Sequence, residues 1–165
     1  MGPSTIAGWS DFLVAAAGSA AALAGLLFVA ISINLARIIE LPGVSGRAGE
    51  TIILLAATLA ITLTALIPHL SMPQLGAALL VITIPAWLIP VAIQIMSVRR
   101  HAYFRSVHEA GRAVLHQMAS LPGVVAGLAL SGLLPDGMTW LAIGVIGSML
   151  VAICNAWILL VEIIR

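Results

Sequence analysis

Lysine is absent from this 165-residue chain, and a single cysteine, Cys154, stands in an apolar run. One cysteine excludes an intrachain disulfide and a cysteine-based metal cluster. Charge is scarce as well: only 8% of residues are Asp, Glu, Lys or Arg, against roughly a quarter in soluble domains. The first eleven residues contain no basic side chain, so the positive start of a cleaved secretory signal is missing and the first apolar stretch is expected to be retained. Gly2 follows the initiator methionine, but Ile6 stands where N-myristoylation wants Ser or Thr. Catalytic signatures are missing too: no H-E-x-x-H, no G-x-S-x-G and no phosphate loop. No cofactor, metal ligand set or nucleic-acid-binding patch is expected, and no catalysis.

What is present is hydrophobicity: 62% of the residues are apolar and the mean hydropathy is +1.19. About 20 apolar residues cross a hydrocarbon core of roughly 30 Å. Five stretches meet that length, near 12–39, 50–67, 74–98, 113–134 and 138–164. Turn signals separate them at Leu41-Pro42-Gly43, Pro68, and Leu134-Pro135-Asp136-Gly137. The predicted fold is all-α, a single polytopic membrane domain of five transmembrane helices over 1–165. Residues 44–49 read as a polar loop and 99–112 as an amphipathic segment on the membrane surface.

The seven arginines are Arg37, Arg47, Arg99, Arg100, Arg105, Arg112 and Arg165. Five crossings put all of them on one face, while Asp11 and Asp136 fall on the other. Basic residues mark the cytoplasmic side, so the N-terminus is expected outside and the C-terminus inside. Trp9 and Trp140 then fall at the outer interface and Trp157 near the inner one, where aromatic rings prefer to sit.

Polar side chains inside a bilayer are costly, and here they agree in depth. Asn34, Gln94, His116, Gln117 and Asn155 all come toward the arginine-bearing ends of their helices, with Arg112 and Glu162 near the same level and able to pair. This layer reads either as a vestibule open to the cytoplasm or as interhelical hydrogen-bonding glue. Thr58, Thr62 and Thr64 would extend a path outward. Pro85, Pro90 and Pro122 each remove an amide donor, freeing the carbonyls of Val81, Ala86 and Met118, and Thr83 is placed to answer the helix opened at Pro85. Trp87, between two of the prolines, reads as a packing or lipid-facing ring. Small residues recur at spacings of three or four: Gly18, Ala22 and Gly25; Gly123, Gly127 and Ser131; Gly144 and Ser148. The Gly123–Gly127–Ser131 ridge is the sharpest of these, fit for helix crossings within the chain or between copies. Of the histidines, His69 lies on the outer side, and His101 and His108 are interfacial beside arginines.

The segment from Gly25 to Asn34, GLLFVAISIN, resembles first-helix segments of uncharacterised small bacterial multi-pass membrane proteins, and the resemblance implies neither an activity nor functional residues. Abundant alanine and glycine without lysine also point to a GC-rich bacterial genome. The sequence therefore predicts a non-catalytic subunit of the bacterial cytoplasmic membrane, structural or interacting, within the lipid bilayer and acting alone, in a homo-oligomer or in a larger complex. The alternative is a small channel or transporter subunit using the polar layer.

Overall fold

The computed structural model describes residues 8–41, 44–100 and 106–164, and among these every regular element is helical. The helices are α1 (Ser10–Ile33), α2 (Leu35–Glu40), α3 (Val44–Ala65), α4 (Met72–Arg100), α5 (Ser106–Leu130) and α6 (Gly137–Ile164). Five of them, all but the six-residue α2, are long and apolar enough to cross a membrane, as expected of a multi-pass membrane protein.

Local chemistry sets the ends. Trp9 precedes α1 and packs edge-on against Phe12 at 5.9 Å between ring centres. Before α4, the Ser71 backbone N–H and hydroxyl both donate to Gln74 Oε1, satisfying an amide left over at the helix start. The end of α5 comes four residues earlier than predicted. Gly132 adopts φ +93°, its N–H donates to Ala129 O, and Leu133 N–H donates to Leu128 O, the paired closure of a Schellman motif.

Three further boundaries differ from the sequence reading. Residues 44–49 are not a loop but the first turns of α3, because Val44 and Ala48 bury one face against Ile38 and Leu55. The predicted first helix is broken at Asn34, whose N–H turns to Ile31 O while its side-chain amide takes over as donor to Ala30 O at 2.9 Å. The supposed surface segment 99–112 is divided: Arg99 and Arg100 finish α4, residues 106–112 begin α5, and 101–105 lie outside the described residues.

Helix α3 packs against α1, α4 and α6, while α5 packs against α4 and α6. Helices α3, α4, α5 and α6 thus close a four-helix bundle with α3 and α5 at opposite corners, and α1 leans on α3 from outside. Half of the apolar window of α3 is buried, against 28% in α1, α4 and α6, which makes α3 the central helix. One apolar cluster joins Leu13, Ala65, Leu75, Leu130 and Leu141. A second joins Leu27, Val44, Leu55, Ala152 and Leu159. Each draws on the opposite end of successive helices, so the five long helices alternate in direction. The second cluster lies at the end that carries Arg37, Arg47, Arg99, Arg100 and Arg112; Arg105 and Arg165 lie outside the described residues.

Candidate functional site

The bundle interior is polar over the half nearest the arginines. Glu50, one of two buried charged side chains among the described residues, is 1% exposed, and its carboxylate lies 3.5 Å from Arg112 Nε across the α3–α5 diagonal. Arg112 therefore has Glu50 as a partner in the interior; the side chain of Glu162, expected at the same level, lies outside the described residues. One turn further along α5, on the same face, His116 is 2% exposed, with Nε2 3.4 Å from the Trp87 carbonyl oxygen on α4. The tautomer protonated at Nε2 donates there. Trp87 Nε1 in turn donates to Gln117 Oε1, so this ring is a hydrogen-bonding link between α4 and α5 as well as a packing group.

Of the five residues expected to share a layer, Gln94, His116 and Asn155 are buried in the bundle, and Gln117 is half-buried at its α4–α5 seam. Asn34 stands apart. Its side chain serves its own helix break and lines a cavity of about 360 Å³ between α1 and α6, with Leu27, Ile38, Ala152 and Trp157.

Halfway along the bundle is a second cavity, of about 20 Å³, lined by Thr58 of α3, Thr83 and Ala86 of α4, Ser120 of α5 and Ser148 of α6. Three of its four hydroxyls are committed to carbonyls. Thr58 donates to Leu54 O at 2.8 Å, Ser120 to His116 O at 2.7 Å, and Ser148 to Ala119 O on the neighbouring helix at 3.1 Å. Thr83 is different: its hydroxyl has no protein partner, although the residue is only 4% exposed. The expected repair at Pro85 is thus not made, for a geometric reason. A threonine hydroxyl in a helix reaches back three or four residues, to 79 or 80, whereas Pro85 frees the carbonyl of Val81. Gln94 Nε2 and His116 Nδ1 are also buried without protein partners among the described groups.

Beyond this cavity the interior turns apolar. Leu75, Leu79, Leu130, Met138 and Leu141 fill the end of the bundle away from the arginines. Thr62, 0% exposed, donates to Thr58 O within its own helix.

The glycine ridge of α5 lies within the chain. A Cβ on Gly127 would meet the Leu80 side chain at 2.8 Å, and one on Gly123 would meet Thr83 at 3.2 Å; both neighbours belong to α4. Ser131 approaches Gly76, whose added Cβ would lie 2.5 Å from the Ser131 backbone nitrogen. Gly144 of α6 fits against Gly123 from the other side, at 2.9 Å to its nitrogen. By contrast, Gly18 and Gly25 of α1 have no atom within 4 Å of an added Cβ. No group of three or more His, Cys, Asp or Glu able to hold a metal is present among the described residues. Comparison of the chain with protein-family models, with curated proteins and with solved structures yields no match.

Proposed function

We propose that this protein is a non-conducting, non-catalytic subunit of a bacterial cytoplasmic membrane, acting through contacts with lipid and with other chains, in a homo-oligomer or a larger complex. The observation that carries this reading is the apolar filling of one half of the bundle, from Leu79 to Met138, which interrupts any polar path through the four helices. The polar half then serves as interhelical glue, supported by Ser148 of α6 donating to Ala119 O of α5 and Trp87 of α4 donating to Gln117 of α5. The arginine-bearing end faces the cytoplasm in this reading, with the N-terminus outside and the C-terminus inside. The competing reading, a small channel or transporter subunit, draws on Glu50 and Arg112, because ionisable groups inside a membrane are usually functional.

Reconstitution into liposomes tests the proposal. Flux of protons and monovalent cations is expected to equal that of protein-free liposomes, while purification in mild detergent yields an oligomer or a co-purifying chain. Flux that disappears in a Glu50→Gln variant of normal assembly would establish the conduit instead.

A further inference from the structure

We propose that the 20 Å³ cavity between α3, α4, α5 and α6 is a binding site for one water molecule, which cross-braces the bundle at mid-membrane. The inference goes beyond the functional reading above and does not rest on it.

Size comes first. A void of roughly 10–15 Å³ admits one water, so about 20 Å³ suffices for a water and not for a solvated ion. Chemistry decides the occupant. Thr58, Ser120 and Ser148 have their hydroxyl protons on carbonyl oxygens, so each hydroxyl oxygen keeps lone pairs that can only accept. Thr83, which lines the same space, keeps both its hydroxyl proton and its lone pairs, buried. Ala86 also lines the cavity, and Pro90 supplies no amide to its carbonyl. A water fits this set: it accepts the Thr83 proton and donates its two protons to hydroxyl oxygens of the facing helices. A bare monovalent cation does not fit, because the lining contains no carboxylate to offset the cost of its dehydration.

The site also meets a need of the fold. In a membrane interior no bulk water satisfies a stranded hydroxyl, so a buried Thr83 without a partner carries the full cost of its desolvation. Helices α4 and α6 stand at opposite corners, and no protein hydrogen bond joins Thr83 to Ser148; one bridging water does.

The isosteric variant Thr83→Val gives the two possibilities opposite signs. If water bridges the cavity, the variant loses the bridge, and its thermal midpoint in detergent falls by about 3 °C. If the cavity is dry, the variant removes an unsatisfied hydroxyl and the midpoint rises; a rise or no change overturns the proposal. A second measurement uses the unaltered protein in bilayers: proton-detected solid-state NMR with a water-selective filter should show transfer from water to Thr83 and Ser148, while Leu55 and Leu75, buried but outside the cavity lining, receive none. Lack of transfer to Thr83 overturns the proposal whatever the stability data show, and this arm stands even if the variant fails to fold.

Discussion

The buried pair Glu50–Arg112 places two opposite charges where each is expensive by itself. Moving an ion out of water costs several kcal/mol even after relaxation, and the pair recovers this only while both partners remain. Glu50 lies one to two turns into α3 and Arg112 two turns into α5, so the pair fixes the axial register of two helices at opposite corners of the bundle. Glu50→Leu alone and Arg112→Met alone should each cost about 3 kcal/mol of stability, since each removes one partner of a buried ion pair. The double variant should recover most of that loss. Thermal unfolding of the three variants in mild detergent measures it; additive losses would show that the two side chains act independently. The sequence placed Arg112 at the depth of Glu162, whose side chain lies outside the described residues. It did not bring Glu50 to Arg112, because depth along the membrane is read from a single helix, whereas adjacency depends on how the helices are arranged around the axis.

At the scale of the element, glycines have opposite roles according to the face they occupy. Gly76 sits where α4 crosses the end of α5, with the Ser131 nitrogen and the Gly127 carbonyl oxygen 2.5 and 2.7 Å from any added Cβ. Backbone atoms cannot swing aside as a side-chain tip can, so Gly76→Ala should push the helices apart and cost about 2 kcal/mol or more. Gly25→Ala on α1 meets nothing and should be neutral or stabilising by up to about 1 kcal/mol through helix propensity. Melting temperatures of the two variants check this, and equal destabilisation would contradict the close crossing. Gly25 belongs to a small-residue pattern in the sequence and Gly76 to none of those singled out, so spacing alone did not mark the close crossing. The spans themselves were legible because twenty apolar residues in a row have few other uses. The start of α3 was not: the polar residues of 44–49 suggested a loop, while the spacing of Val44, Ala48, Thr51 and Leu55, which are buried on one face, carried the helix. The break at Asn34 was hidden for a related reason, since a single asparagine can donate to its own helix and end it without glycine or proline. The polar interior was visible as a shared depth, but Thr58, Ser120 and Ser148 had no sequence signal beyond ordinary small polar residues, and their convergence with Thr83 is a product of helix rotation.

For the whole molecule, charge and packing vary along the same axis. The end with Arg37, Arg47 and Arg112 also holds the buried ion pair, whereas the other end has exposed Asp11 and Asp136 and an apolar interior. Such a polarised bundle has one favoured orientation. Each positive charge carried outward against a membrane potential, negative inside, costs about 2.3 kcal/mol per 100 mV, and arginines near the span ends are held back accordingly. Orientation is therefore testable with two exposed positions at opposite ends, Pro135 between α5 and α6 and Ser45 at the start of α3. In a Cys154→Ala background, the Pro135→Cys variant should react with an impermeant thiol reagent in intact cells. The Ser45→Cys variant should react only after the membrane is opened. The two positions lie at opposite ends of the alternating helices, so the pair of results must reverse together if the orientation is reversed. Labelling of Ser45→Cys alone from outside would place the arginine-bearing end outside and refute the proposed orientation. Labelling of both in intact cells would refute the five-span arrangement itself, because no odd number of crossings separates two residues on the same side.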